Sequence, residues 1–312
     1  MLSKRDMGEY ILANVKDFLS EKFQDATVDL VNVIKTNDIE LTGIVIRKSG
    51  QNIAPTVYLE EMYEKYIQSI WTPDDVVRNI ADMREQYDCQ ENMHDIIELT
   101  QSYQIVKDKL QIRICDKKGN QKRLAGLAYT ELWNSSMVAT YHVILDASVG
   151  VQASFAITAE LLNIWGVSLE RLHEDALQSP PMQNPVLVDV VTLLSEALAD
   201  EEAANLLLEQ DIVLEYIRML YVLTNQWKTH GASFILQKDL MRRVSEMFGN
   251  IDFYILPSSV NEVILLPYSD DVNLEELKDM VQTININEVQ PSEVLTDTVM
   301  LYEREHGEIR VL

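Results

Sequence analysis

Apolar and polar residues along this chain recur at two spacings, one helical and one strand-like, and the changes between them mark out most of its elements. In "MGEYILANVKDFLSEKF" the apolar Ile11, Leu12, Val15, Phe18 and Leu19 recur at helical spacing, with Lys16, Asp17 and Glu21 on another face. Two strands follow, "ATVDLVNVIKT" and "IELTGIVIRKSG", joined at the turn-forming Thr36, Asn37 and Asp38. Thr72-Pro73-Asp74-Asp75 reads as a helix start: Thr72 caps, Pro73 needs no donor there, and the two acids suit the positive end of the dipole. That helix is expected to reach about Tyr87, and another to cover Asn92 to Leu110.

"YHVIL" and "VQASFAI" form an expected strand pair around Asp146 to Gly150. Thr158 opens the helix "AELLNIW", Gly166 ends it, and Ser168 caps the next. "LVDVVTLLSEALADEEAANLLLEQ" has helical periodicity. Near the end come the strands "IDFYIL" and "VILLP", a helix over Leu274 to Thr283, and the strands "TVMLYER" and "EIRVL". The sum predicts an α+β fold of antiparallel β-hairpins interleaved with helices packed on the sheet. "ASFAITAELL" (Ala153–Leu162) also aligns without gaps to "ASFILQKDLM" (Ala232–Met241), which is compatible with a diverged β-β-α repeat. The proline pair in "LQSPPMQNP" marks 178–185 as a candidate linker. It would join an N-terminal α+β region, 1–177, to a C-terminal one, 186–312, unless the two form one continuous domain.

Charge changes the picture of partners. The 312 residues carry 50 acidic and 26 basic side chains, for a net charge of −24. Such a surface repels phosphate backbones, so nucleic acid is not an expected partner. From Leu172 to Ile217 there is no Lys or Arg, against ten acids, which reads first as a solvated acidic helical face and second as a docking surface for a basic protein partner. No apolar run is long enough for a membrane span, and Asp6 and Glu9 interrupt any secretory apolar core. Two cysteines, Cys89 and Cys115, without close spacing fit a reduced compartment. The expected location is the cytoplasm.

The search for chemistry is mostly negative. No two of the ten glycines lie closer than seven residues, which excludes the GxGxxG and GxxxxGK phosphate loops and the GxSxG elbow. The five histidines are never within ten residues of one another, so no helical zinc pair exists. No cofactor or metal is expected. His173, in "HED", reads as a helix-surface residue whose pKa Glu174 and Asp175 would raise.

Two polar islands inside strand-rich regions remain. If the turns of "LTNQWKTHG" and "FYILPSSVNEVILLP" share one end of a sheet, His230 approaches Ser258 or Ser259, with Glu262 to orient the imidazole. Those four are the catalytic candidates, and Thr224, Asn225 and Asn261 are the binding candidates. The competing reading is structural, because Asn, Ser and Thr side chains bond their own backbone in turns.

In their order, "IELTGIVIRKSGQNIAPTVYLEEMYEKY", "ITAELLNIWGVSLERLHEDAL", "YVLTNQWKTHGASFIL", "FYILPSSVNEVILLP" and "EVLTDTVMLYERE" resemble a family of uncharacterised bacterial proteins common in anaerobic gut bacteria, a domain family of unknown function. The resemblance runs from about Ile39 to Glu305. It implies that both islands recur in the family and that the position of Asn261 is often His. An amide carries no proton at neutral pH, so Asn261 counts against general-base chemistry there and leaves a hydrogen-bonding role intact. The expectation is a soluble, acidic interaction or regulatory protein. The alternative is a hydrolase or small-molecule-binding protein with its site at turns 224–231 and 257–262.

Overall fold

In the computed structural model, which describes residues 1–49, 54–86, 102–148, 151–190, 192, 220–257 and 259–312, the N-terminal pattern forms helix α1 (Lys4–Asn14). Ser3 and Asp6 cap it reciprocally, and Met7 and Ile11 are buried. The helix is shorter than its periodicity, because 3-10 turns take over at Val15. Two compact units are formed, Met1–Gln101 and Ser102–Leu312.

The first unit continues with β1 (Thr27–Ile34), β2 (Glu40–Arg47) and β3 (Thr56–Tyr58), paired antiparallel in that order. Asn37 and Asp38 take left-handed backbone in the β1–β2 turn, with φ of 61° and 52°, a region these residue types tolerate. Helices α2 (Glu60–Ile67) and α3 (Pro73–Gln86) complete the unit. Thr72 caps α3 as expected: its Oγ1 accepts from Asp75 N–H at 3.2 Å, and the Asp75 carboxylate accepts from Thr72 N–H at 2.9 Å. Met7, Ile11, Ile44, Ile46 and Ile80 close the core. Arg84 is buried with them, its Nε donating to Ile46 O at 2.8 Å and its guanidinium lying 4.6 Å from the Phe23 ring.

The second unit holds the short helix α4 (Tyr103–Val106), β4 (Leu110–Asp116), the one-turn α5 (Gln121–Leu124), β5 (Tyr129–Leu132), β6 (Met137–Ser148) and β7 (Val151–Ala156). Helices α6 (Ala159–Trp165) and α7 (Leu169–Gln178) follow, with the Thr158 cap, the left-handed Gly166 stop (φ 63°) and the Ser168 cap all in place. Then come β8 (Pro185–Asp189), β9 (Tyr221–Asn225), α8 (Lys238–Met247), β10 (Phe253–Leu256), β11 (Val263–Pro267), α9 (Leu274–Asn287), β12 (Met300–Glu303) and β13 (Glu308–Val311). β6 pairs with β4, β5 and β7 in one antiparallel sheet, and β13-β12-β10-β11-β9-β8 is the order of the other. Helix α9 covers one face of the six-stranded sheet through Leu277 and Val281, against Tyr254, Leu256, Leu266 and Leu301. On the other face an aromatic row links Tyr221, Phe248, Phe253 and Tyr302, whose last pair stacks at 4.8 Å between centroids. The fold is α+β.

Three sequence expectations change. The segment 178–185 lies inside the second unit: Pro180–Met182 is a 3-10 turn with Pro181 and Met182 buried, and the Ser179 hydroxyl donates to Leu110 O. Residues 187–189, expected at the start of a helix, pair within β8 with β9, because Val186, Leu187 and Val188 suit a sheet position. The β-β-α repeat fails: Ser154 and Phe155 lie in β7, whereas Ser233 and Phe234 lie in the 3-10 helix Gly231–Leu236. The matching letters serve different backbones. The expected helix residues 92–101 and most of the 187–210 pattern lie outside the described residues, as do Cys89 and His94. Among the described residues no helix is long and apolar enough to cross a membrane, and no group of three or more His, Cys, Asp or Glu is placed to hold a metal ion.

Candidate functional site

The two polar islands do meet, and Asn261 joins them. β9 ends at Asn225, whose side chain knits the following turn: Oδ1 accepts from Trp227 N–H at 3.0 Å and Thr229 N–H at 3.3 Å, while Nδ2 donates to Thr229 O at 2.7 Å. The next residue, His230, is left-handed (φ 54°), and its N–H donates to Asn261 Oδ1 at 3.0 Å. Asn261 O accepts from the Thr224 hydroxyl at 2.8 Å and from Gly231 N–H at 3.0 Å. Gly231 is required by this approach, since a Cβ there would stand 2.6 Å from Thr224 Oγ1 and 2.7 Å from Asn261 O.

The Ser259 hydroxyl accepts from Asn261 N–H at 3.0 Å, and no hydrogen bond among the described residues joins it to His230. Ser258 lies outside the described residues. Glu262 is half-buried; burial, and then the carboxylate of Glu293, push its pKa up, with Lys228 opposing. The candidate residues Thr224, Asn225, Asn261 and Ser259 are thus brought together, and their polar groups hold one turn against the other.

Another concavity lies elsewhere in the same unit. A cleft of about 1310 Å3 runs between the β5–β6 turn at Trp133 and Asn134, helix α7, helix α8 and the β12–β13 hairpin. The start of α8 contributes Lys238, Arg242 and Arg243 to its wall. Arg242 pairs with Asp239 at 3.0 Å, while Lys238 and Arg243 have no ion-pair partner among the described residues. With Arg310, which pairs with Glu303, the lining holds four cations against the acids Asp239, Glu303 and Glu308, a small positive excess in a chain of net charge −24, reinforced by the positive end of the α8 dipole.

His173 of α7 also lines the cleft. Its Nδ1 lies 2.8 Å from the Tyr141 hydroxyl, which in turn lies 2.5 Å from Thr130 Oγ1. If Tyr141 donates to Nδ1, the neutral imidazole carries its proton on Nε2. Tyr141 is buried, which pushes its pKa up to about 12, so it stays a neutral donor. The sequence reading of His173 as an exposed residue with a raised pKa is corrected: it is half-buried, and burial lowers its pKa although Glu174 opposes. Asp175 is turned inward and does not serve His173. Burial disfavours its charge, but bonds from Lys107 (3.2 Å), Tyr103 (3.0 Å) and Arg171 (2.9 Å) outweigh that and hold its pKa below the usual range.

Sequence reasoning did not find the cleft. Its parts come from Trp133, His173, Lys238 and Tyr302, far apart in the chain, and no local motif unites them. A family model described as "Family of unknown function (DUF5688)" matches residues 6–304. No curated protein and no solved structure matches the chain.

Proposed function

The chain belongs to that family of unknown function, and we propose that it is an interaction protein whose second unit takes an anionic ligand in the cleft beside α8. The observation that carries this reading is the placement of Lys238 and Arg243, without ion-pair partners among the described residues, on the wall of this cleft in a strongly acidic chain. Charged groups held at a helix start with a dipole behind them favour carboxylates or other anions. His173 lines the same cleft, its ring held by the Tyr141 hydroxyl.

The acidic stretch 172–217 supports a basic partner less strongly. Of its described acids, Asp175 is engaged by Lys107, Arg171 and Tyr103, and Asp189 accepts from Thr192. The alternative site at turns 224–231 and 257–262 has its Asn and Thr groups committed to joining those turns. A cytoplasmic setting is in keeping with the low cysteine content.

Titration of triglutamate into the full chain, followed by Trp133 emission, tests the reading, with Trp133→Phe identifying the signal. Saturable binding that weakens about tenfold in a Lys238→Ala, Arg243→Ala variant is expected. Absence of binding, or binding indifferent to that double change, overturns it.

A further inference from the structure

The cleft wall that faces α8 is a sheet edge. Gly307–Val311 line it without a gap. Side chains of a strand point alternately to opposite faces, so a strand lying broadside to a cleft offers it every second residue. An unbroken run is what a strand offers from its edge. Among the described residues β13 is the terminal strand of the six-stranded sheet, paired with β12 on one side.

The phase of that pairing shows which backbone groups the edge presents. Leu312 N–H donates to Val299 O at 3.0 Å, so those two residues form a hydrogen-bonded pair. The alternation of antiparallel ladders makes Arg310 with Leu301, and Glu308 with Glu303, the next bonded pairs. Ile309 and Val311 then occupy the intervening positions opposite Tyr302 and Met300. Their N–H and C=O groups point away from β12, toward the cleft. Two donors and two acceptors, spaced two residues apart, form a ready template for one more strand.

We propose that an extended, acidic peptide segment of a partner protein adds to β13 as a seventh strand. Its backbone bonds Ile309 and Val311, and its carboxylates meet Lys238 and Arg243 across the cleft. This rests on the anionic-ligand reading above and gives that ligand its chemical class. Volume favours a chain segment, because about 1310 Å3 exceeds the ~300–1,000 Å3 of sites for small molecules. Charge selects an acidic one, since a neutral strand leaves the α8 cations uncompensated. A second copy of this chain fits less well, because two bodies of charge −24 repel. Strand addition of this kind draws affinity from backbone bonds and specificity from alternate side chains.

The test uses the full chain and a fluorescent peptide of about eight residues alternating Glu and Val, long enough to span β13. Three companions accompany it: a Gln-for-Glu version, a version N-methylated on alternate residues, and triglutamate. The parent peptide is expected to bind and to protect the Ile309 and Val311 amides from hydrogen exchange. The Gln and N-methylated versions should each bind about tenfold more weakly or worse. Ile309→Pro removes only an outward N–H, which an edge strand tolerates, and should weaken the parent peptide equally. Equal binding of the N-methylated peptide, or triglutamate binding without parent-peptide binding, overturns strand addition and leaves the anionic-ligand reading standing. Failure of both triglutamate and peptide overturns both.

Discussion

The hydroxyl of Tyr141 lies 2.8 Å from Nδ1 of His173, and this contact fixes a half-buried imidazole against the wall of the cleft. The ring planes meet edge to face, at 89° and 5.9 Å between centroids. The tyrosine comes from the middle of β6 and the histidine from α7, so a sheet and a helix are joined by one polar bond in apolar surroundings. Such bonds stabilise modestly when made and cost more when half-made.

Tyr141→Phe therefore leaves both His173 Nδ1 and Thr130 Oγ1 without their partner. A loss of about 1–2 kcal/mol in urea unfolding is expected. A Tyr141→Phe, Thr130→Val double change should cost less than the sum of the singles, since the two side chains share the bond. Strict additivity would show that the relay contributes nothing as a unit.

Stability should also depend on the His173 proton. Burial holds its folded pKa below the ordinary imidazole value of 6.5. Between the two pKa values the unfolded chain binds the extra proton, so stability rises with pH through that window. It is fully present above pH 6.5 and is lost as pH falls through the ordinary imidazole range. His173→Gln should flatten the slope of unfolding free energy between about pH 5 and 7. An unchanged slope would assign the dependence to another group.

At the junction of the turns, Gly231→Ala forces a methyl against Thr224 Oγ1 and Asn261 O. One of the two is backbone, so the turn must shift, at an expected cost of about 1–3 kcal/mol. Gly126, whose added Cβ meets nothing within 4 Å, is the control and should change little. Comparable melting shifts for the two would remove the close-approach account.

Asn261 offers a sharper comparison. Asn261→Ala strands the His230 N–H, at an expected cost of about 1–2 kcal/mol. Asn261→His should recover part of that loss, because a neutral ring nitrogen accepts as Oδ1 does. If the two variants unfold at the same urea concentration, the side-chain acceptor is not what the position requires.

Much of this fold can be read from local chemistry. Ser168, Thr158 and Thr72 announce their helices because capping is decided within four residues. Asn37 and Asp38 mark their turn because few other residues accept left-handed backbone. The β8 segment misleads because its apolar residues fit both periods, and the pairing of Leu187 with Leu223 decides between them. The Ala232–Leu236 run misleads in the same way: it resembles β7 in letters, yet Gly231 and Ala232 bond Asn261 and Val260 and turn the chain into a 3-10 helix. For the site, the islands are legible as turns with matching polar ends, while the cleft depends on α7, α8 and β13 converging and leaves no local trace.

The order of the six-stranded sheet has a kinetic consequence. The β10–β11 and β12–β13 hairpins each close over a short stretch of chain, so they can form early. Completing the sheet needs Tyr254 beside Leu301 and Asp189 beside Tyr221, pairings that cross long separations and must wait for chain diffusion. Truncating Leu301 should then speed unfolding more than it slows refolding, and the opposite partition would place that seam in the folding nucleus. Until β12 docks, β10 has an open side, so a nascent chain of this protein is most exposed to mispairing along the strand that ends as the centre of its sheet.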